Sequence, residues 1–325
     1  MIGIDNLSRT GSEMNVKTFL GLRAELFRGD VRNSSDINSL PEVDWVIDCS
    51  ANPSVLAGLD KQTSSRQLIE HNLIGTINLL EYCKKKNAGL ILLSTSRVHS
   101  AMDLATLPVS QSNDQYVLDS NHLGKGISVS GISEAFPTTP PVSLYGASKL
   151  ASEALALEYS EAFGFPVWIN RCGVMAGAGQ FGRIDQGIFS FWIHSFREKK
   201  PLKYVGFEGS GLQVRDALHP QDLAPLITRQ IHETAKDVPK TFNLGGGSNN
   251  ATSLRKLTSW CEERFGPNEI TSSSEERPYD APWIVMDSSL AERTWDWKPQ
   301  TDLVEILDQI ADHAIENPNW MSLTN

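Results

Sequence analysis

The sequence predicts an α/β protein built on a doubly wound parallel sheet, with a smaller C-terminal domain. Short apolar runs alternate with segments of helical periodicity in the first half, as parallel strands with helical crossovers require. The run at 89–93 is apolar throughout and ends in small hydroxyl residues, which is typical of a buried parallel strand. Beyond residue 172 the alternation weakens and glycine becomes more frequent. We therefore predict one domain over 1–172 and a second over 173–325, with some segments of the second returning to the first.

Composition argues against several classes of function. The 325 residues carry a net charge of −10 and show no basic stripe, so a nucleic acid is not an expected partner. The 4 cysteines have no metal-ligand spacing, so we expect reduced thiols and no metal site. The sequence has no signal peptide and no apolar run near the length of about 18 residues that a membrane helix needs. We therefore expect a cytoplasmic protein without a membrane segment.

The first apolar run ends in an acid. Met1–Asp5 is predicted to be a short strand, and Asn6 and Arg9 follow it. In a dinucleotide-binding fold, an acid at the end of the second strand hydrogen-bonds the adenosine ribose and favours NAD. Arg9 introduces NADP as an alternative, although the acid would repel its 2′-phosphate. A helix N-cap is the other interpretation of Asp5.

Further elements follow in alternation. Strands are predicted at 24–28 and 45–49, and small residues after the second of these, including Ala51, let backbone approach a cofactor. A helix is predicted from Leu56 to Asn87. The polar insertion from Ala101 to Pro141 is interpreted as a lid or substrate loop, because long connections of this kind are commonly functional.

A tyrosine and a lysine stand four positions apart at the start of a predicted helix. Ser143 can cap this helix, and Tyr145 and Lys149 then lie on one helix face. A neighbouring ammonium favours the phenolate, so we predict that Lys149 lowers the pKa of Tyr145 from about 10 towards neutrality. Tyr145 is therefore a candidate general base for a sugar or alcohol hydroxyl.

The chain resembles the extended short-chain dehydrogenase/reductase superfamily in this arrangement: hydroxyl residues follow a buried strand, and Tyr145 and Lys149 come later on a helix. The resemblance implies a Rossmann-like fold, NAD as cofactor and a nucleotide-diphosphate sugar as substrate. It also implies a catalytic set of Thr95, Tyr145 and Lys149. Thr95 is preferred because it lies three residues before Val98, and Ser96 is the alternative.

The resemblance also assigns residues to the cofactor. Asp30 and Val31 would contact the adenine ring, and Asn72 would steady backbone near the active site. Cys172, at the exit of the sixth strand, is placed with them. The complete predicted cofactor set is Asp5, Asn6, Arg9, Asp30, Val31, Ala51, Asn72, Tyr145, Lys149 and Cys172.

The substrate residues follow from the same resemblance. Arg215 and Arg277 would bind the diphosphate, which suits the bidentate donors of a guanidinium. Thr95 and Ser96 would contact the sugar. Ser96 and Arg97 replace the Asp-Glu pair of the 4,6-dehydratases, which argues against a dehydratase. Longer stretches resemble the CDP-paratose 2-epimerase (CDP-tyvelose 2-epimerase) group, so we favour a CDP-sugar; a UDP-sugar 4-epimerase or an NDP-sugar reductase is the alternative.

One expected feature is missing. A glycine-rich loop of the G-x-G-x-x-G type should stand about 20 residues before the acid of the second strand. The sequence begins at what we interpret as the second strand, so we predict that the first βα unit is missing. This would describe a shortened form of a longer enzyme, or a non-catalytic nucleotide-sugar-binding relative without NAD. The resemblance also implies a homo-oligomer that forms through the helices near 68–84 and 147–163.

Overall fold

The computed structural model describes residues 1–59, 63–233 and 237–324. The strands are β1 (Ile2–Asp5), β2 (Glu25–Arg28), β3 (Trp45–Asp48), β4 (Gly89–Thr95), β5 (Val109–Ser112), β6 (Gln115–Leu118), β7 (Ile127–Ser128), β8 (Gly131–Ile132), β9 (Val167–Cys172), β10 (Val174–Met175), β11 (Leu202–Val205), β12 (Val214–Leu218), β13 (Thr241–Leu244), β14 (Ala251–Ser253), β15 (Ile270–Ser273) and β16 (Trp283–Ile284). The α-helices are α1 (Met14–Gly21), α2 (Ser34–Asn38), α3 (Ser65–Ile69), α4 (Gly75–Lys86), α5 (Ala101–Ala105), α6 (Ser143–Phe163), α7 (Ile188–Arg197), α8 (Leu223–His232), α9 (Leu254–Phe265), α10 (Ser289–Trp295) and α11 (Leu303–Glu316).

The parallel strands around β4 and those at the start of the chain form two separate sheets. β13, β9, β4 and β3 lie side by side in that order, whereas β1 pairs with β2 in a separate parallel ribbon. Within the described residues no backbone hydrogen bond joins β1 to β3. Ile4 of β1 and Val46 of β3 nevertheless pack in one apolar cluster with Leu79 and Tyr82 of α4. The predicted α/β class, with parallel strands covered by helices, is confirmed.

The central strands are buried because helices cover both of their faces. Every residue of β9 is buried, and β4 is buried except at Leu93. On one face Leu90 and Val167 pack in a cluster with residues of α4 and α6. On the other face Trp168 packs edge-on against Trp295 of α10. The carboxyl ends of β4 and β9 are thereby held rigidly at the same edge of the sheet.

Strands from the second half of the chain join the first sheet and also form further sheets. β13 lies beside β9 and so completes the first sheet. β12 pairs with β10, β14 and β16, and β11 pairs with β15. Trp192, Leu257 and Ile310 join α7, α9 and α11 in one buried cluster beside these strands. The division at residue 172 stays a prediction.

The helix predicted from Leu56 begins later than expected. It starts at Ser65, while residues 60–62 of the predicted span lie outside the described residues. Ser64 is the reason, because its hydroxyl accepts a hydrogen bond from the Gln67 amide while the Gln67 side chain accepts one from the Ser64 amide. The chain then runs from α3 through a π-helical turn, Glu70–Ile74, into α4. Such turns are often found at functional sites.

The insertion at 101–141 is a packed layer rather than the loop that we predicted. It contains α5 and the antiparallel hairpins β5–β6 and β7–β8. Leu104, Ile127 and Phe136 are buried in a cluster with Met286 and its neighbours. The Tyr116 amide also donates to the Leu212 carbonyl at 3.0 Å. These apolar residues are too few to show helical or strand periodicity, so their packing could not be predicted from the sequence.

Asp216 of β12 is fully buried and fastens a glycine turn to the sheet. Its Oδ2 accepts hydrogen bonds from the Gly247 amide at 3.0 Å and the Met286 amide at 3.3 Å. Its Oδ1 is buried and has no partner among the described residues. Burial raises the pKa of Asp216 to about 6 from 3.8, although the amide donors oppose the shift. The buried position of Asp216 therefore carries a cost when the carboxyl group is charged.

Asp216→Asn is expected to stabilise the protein above pH 6 and to have little effect near pH 4. The folded-state pKa of Asp216 lies above the unfolded value of 3.8, so its ionisation destabilises the fold as the pH rises to about 6. The full penalty is on the order of 3 kcal/mol. Urea unfolding at several pH values measures it, with Asp44→Asn, at an exposed carboxyl group, as the control. An equal effect of Asp216→Asn at pH 4 and pH 8 would contradict this account.

Candidate active site

The residues predicted to be catalytic meet at the carboxyl end of β4. Thr95 is the last residue of β4, and Tyr145 stands in the first turn of α6; both side chains are buried. The turn is tightened at Ser143, whose hydroxyl accepts a hydrogen bond from the Gly146 amide at 3.1 Å. Gly146 is required here, because a Cβ at this position would lie 2.2 Å from the Arg97 carbonyl oxygen. The absence of a side chain therefore lets α6 approach the end of β4.

The electrostatic prediction for Tyr145 was wrong in direction. Burial raises the pKa of Tyr145 above its usual value, because a phenolate loses its hydration inside the protein. A hydrogen bond with the Thr95 side chain and the charge of Arg97 lower the pKa, but they do not overcome burial. Cys172 at the end of β9 adds to the rise. Residue spacing gave the position of Lys149 and could not give the extent to which the phenol is buried.

Lys149 is an unusual residue in this site. It is 1% exposed, and its Nζ makes no hydrogen bond to any described residue. Burying an ammonium group without hydrogen-bond partners is unfavourable. We therefore expect that a bound ligand accepts hydrogen bonds from Lys149 when the site is occupied.

Ser96, the alternative to Thr95, is also buried and begins the 3₁₀ turn Ser96–Val98.

Asn72 connects the loop after β3 to α6. Its Oδ1 accepts from the Asn52 amide at 2.7 Å, and its Nδ2 donates to the Asn52 carbonyl and to the Ser148 hydroxyl, both at 3.1 Å. Asn72 is fully buried within the π-helical turn, whereas Ala51 lies exposed in the loop that Asn72 holds. Asn72 therefore ties the backbone at Asn52 to α6, and its role in cofactor binding stays a prediction.

Residues predicted to contact adenosine gather at the ends of β1 and β2. Asp5 is exposed, and its Oδ1 accepts from the Leu7 amide at 2.7 Å in a local turn. Asn6 Nδ2 donates to Asp30 Oδ2 at 3.0 Å. Asp30 also receives two hydrogen bonds from the Arg32 side chain, which hold the pKa of Asp30 far below its usual range.

Val31 and Arg9 contact different parts of the chain. The Val31 carbonyl accepts from Asn78 Nδ2 at 2.8 Å, and Val31 packs against Gly75 at the start of α4. Arg9 Nη2 donates to the Phe181 carbonyl at 2.7 Å, far along the chain. The predicted adenosine residues are therefore neighbours, but Arg9 is engaged with the second half of the chain.

A buried ion pair beneath the site escaped the sequence analysis. Glu153 accepts from Arg171 Nη2 at 2.6 Å and from Arg171 Nε at 3.1 Å, and Ser94 Oγ donates to Glu153 Oε1 at 2.5 Å. Glu153 lies one turn after Lys149 in α6, and Arg171 precedes Cys172 in β9. Burial raises the pKa of the neighbouring Cys172 to about 12, so its thiol stays protonated. The sequence feature that could have indicated this ion pair is the presence of one acidic and one basic residue inside segments that are otherwise buried.

An arginine-lined cavity of about 170 Å³ opens beside Arg97, and three arginines contribute to its wall. Arg215 is nearly buried and donates to Asp280 at 2.8 Å and to the Val214 and Ala281 carbonyls. Arg277, the second predicted diphosphate ligand, lines the same cavity. The structure thus brings together Arg215 and Arg277, which are far apart in the sequence, and adds Arg97, which we had not selected.

The glycine runs of the second half are packed turns. A Cβ on Gly182 would lie 2.4 Å from the Phe191 amide, and one on Gly246 would lie 2.0 Å from the Ala217 carbonyl oxygen. The turn at Gly246 leads to Ser253, whose side chain accepts from the Lys256 amide and caps α9. The loop from β1 to α1 holds Gly11 as its single glycine.

The described residues contain neither a candidate metal site nor a helix that could cross a membrane. No group of histidine, cysteine or acidic side chains that could hold a metal ion occurs among the described residues. In the same part of the chain, every helix falls short of the length or the apolar character needed to cross a membrane.

Parallel strands with helical crossovers, and functional groups at the strand ends, define a Rossmann-like α/β protein. The chain belongs to the NAD dependent epimerase/dehydratase family, whose model matches residues 1–245. It is 28% identical to the CDP-paratose 2-epimerase of Salmonella typhi in an alignment of 328 positions, which covers 96% of this chain and 91% of the relative. The predicted superfamily is thereby confirmed, and sugar epimerases of this family are isomerases.

Solved structures share the fold. The UDP-glucose 4-epimerase of Thermotoga maritima, solved with UDP-glucose, matches with a TM-score of 0.76 at 18% identity, covering 97% of this chain and 90% of that one. The UDP-glucuronic acid 4-epimerase of Bacillus cereus, in complex with UDP-glucuronic acid and NAD, matches with a TM-score of 0.72 at 22% identity and the same coverages of 97% and 90%. NAD, the predicted cofactor, is the cofactor for which the family is named.

Proposed function

We propose that this chain is an NAD-dependent epimerase of nucleotide-diphosphate sugars and that it inverts C2 of a CDP-linked sugar. One observation carries the general proposal. Thr95, Tyr145 and the unpartnered Lys149 meet at the end of β4, near the cavity that Arg215 and Arg277 line. The preference for a CDP-sugar rests on the sequence stretches described above and on the similarity to the Salmonella typhi enzyme.

The residues present fit NAD at two places. Lys149 Nζ is buried without an acceptor in the described structure, so it can donate to the hydroxyls of a ribose. Asp5, Asn6 and Asp30 place oxygen acceptors together at the ends of β1 and β2, where an adenosine ribose would be held. When bound, NAD supplies the acceptor and the donor of hydride, and the protein supplies binding and orientation.

Proton transfer is assigned to Tyr145. In this hypothesis its phenolate removes the proton from the hydroxyl on C2 of the sugar, and Thr95 hydrogen-bonds the same oxygen. The sugar would become a 2-keto sugar by losing a hydride from C2 together with this proton. After turning its other face, it would regain a hydride at C2 and the hydroxyl proton from Tyr145, with the configuration inverted. Because burial opposes the phenolate, positive charge near Tyr145 is needed. Arg97 lowers the pKa of Tyr145, and Lys149 lies one turn later in the same helix.

Three other functions, of two classes, are the alternatives. A UDP-sugar 4-epimerase or an NDP-sugar reductase would use the same three residues, and the Thermotoga and Bacillus structures favour UDP-sugars as compounds to test. A non-catalytic protein that binds nucleotide sugars without NAD is the alternative of another class. We also propose the domain division at 172/173 and a homo-oligomer that forms through α4 and α6.

The first experiment denatures the purified chain and assays the supernatant for NAD(H). Stoichiometric release would support the enzyme, whereas no release and no uptake of added NAD would favour the non-catalytic alternative. CDP- and UDP-sugars are then incubated with the protein, and proton NMR identifies the carbon that is inverted. Inversion at C4 of a UDP-sugar, with none at C2 of a CDP-sugar, would replace the proposed substrate.

A further inference from the structure

Arg97 stands between the reacting tyrosine and the two predicted diphosphate arginines. Its amide donates to Thr95 Oγ1 at 3.2 Å, and its carbonyl oxygen lies against Gly146. The backbone of Arg97 is therefore fixed by both β4 and α6. The side chain lines the cavity that also contains Arg215 and Arg277.

The side chain of Arg97 is part-buried, and its guanidinium makes one hydrogen bond to the protein. Nη1 donates to the Tyr279 carbonyl at 3.2 Å, and no other acceptor for this side chain is found in the described residues. A guanidinium has five N–H donors. Arg215, in the same cavity, donates to Asp280 and to two carbonyls. Arg97 thus has donors that are still available to a ligand, whereas Arg215 is largely satisfied by the protein.

The cavity beside Arg97 carries more positive than negative charge, because Arg97, Lys203, Arg215 and Arg277 line it against two carboxylates, Asp185 and Asp280. Burial and the charges of Arg215 and Arg277 lower the pKa of Arg97 to about 10, and Asp280 partly opposes them. Asp280 already accepts from Arg215 and from the Ala281 amide. An anion placed between these arginines would satisfy free donors and neutralise excess positive charge at the same time.

We propose that Arg97 binds a pair of anionic oxygens at the sugar end of the substrate, and that it thereby selects the sugar and its orientation. The planar fork of a guanidinium matches either a carboxylate or a phosphate. The two sources are a carboxylate carried by the sugar and the phosphate next to the sugar. The proposal rests on the proposed function, because it takes a nucleotide-diphosphate sugar as the occupant of the cavity.

Calorimetric titration tests the proposal, with NAD present throughout. The probes are CDP-glucose, UDP-glucose, UDP-glucuronate and UMP, since UDP-glucose and UDP-glucuronate differ by one carboxylate. The proteins are the wild type, Arg97→Gln and Arg97→Lys. Arg255→Gln is the matched control, because Arg255 is part-exposed, pairs with Asp114 at 3.6 Å and does not line the cavity. Thermal melting confirms that each variant is folded.

Arg97→Gln is expected to weaken binding of at least one nucleotide-diphosphate sugar by about tenfold or more, with Arg97→Lys intermediate. A loss confined to UDP-glucuronate identifies the carboxylate. An equal loss for the diphosphate sugars, with UMP unaffected, identifies the phosphate. Unchanged affinity of Arg97→Gln for every sugar that the wild type binds would overturn the proposal for Arg97 and leave the proposed function intact. Failure of the wild type to bind any of these sugars would overturn the proposed function as well.

Discussion

Tyr145→Phe is expected to lower the turnover number by between about 10² and 10⁴, the range that a general acid–base group contributes. The loss follows from the removal of one oxygen atom, because the phenol is the group that would exchange a proton with the sugar. The phenylalanine ring can keep the packing of Tyr145 against Ala57 and Leu68. Affinity for nucleotide sugars and the melting temperature are therefore expected to change little. Steady-state kinetics, calorimetric titration and thermal melting measure the three quantities.

Tyr159→Phe provides the matched control for this experiment. Tyr159 lies in the same helix, and its hydroxyl donates to the exposed Glu81 at 2.6 Å, away from the candidate site. Its loss should leave turnover nearly unchanged. Full activity of Tyr145→Phe would remove the tyrosine from the mechanism. A large fall in melting temperature for Tyr145→Phe alone would show that the hydroxyl serves the fold instead.

Local spacing predicted parts of the candidate site. Tyr145 and Lys149 share a helix face because of their spacing, and Thr95 ends a strand whose apolar residues are plain in the sequence. Strand ends are where ligands bind in such folds, but it was the resemblance to a known superfamily that joined Thr95 to the two helix residues. The nucleotide-sugar assignment needed more than this, because it depended on resemblance to a known superfamily.

Properties that depend on tertiary packing could not be predicted in the same way. The pKa of Tyr145 is governed by burial, which spacing does not report, and its predicted direction was wrong. Glu153 and Arg171 come from different elements and meet only when α6 packs on β9. Arg97 looked like an ordinary residue after a strand, and its importance became visible only through its missing acceptors and its arginine neighbours.

Glu153→Gln is expected to destabilise the protein by about 3–5 kcal/mol, because it removes one partner of a buried ion pair. The carboxylate accepts from both Nε and Nη2 of Arg171 and from the Ser94 hydroxyl, and its side chain is only 4% exposed. Without that charge, the Arg171 guanidinium stays buried and uncompensated. Urea unfolding followed by tryptophan fluorescence measures the change.

Two further variants determine what this pair does for the site. Glu158→Gln changes an exposed acid of the same helix and should cost little, which controls for altered helix charge. Replacing Glu153 and Arg171 together by methionine should recover much of the lost stability, since an apolar pair of similar volume needs no compensating charge. If the double variant is stable but turns over slowly with unchanged substrate affinity, the pair positions Tyr145 and Lys149 through α6. A cost below about 1 kcal/mol for Glu153→Gln would instead mean that water reaches Arg171 and that the pair holds neither the helix nor the site.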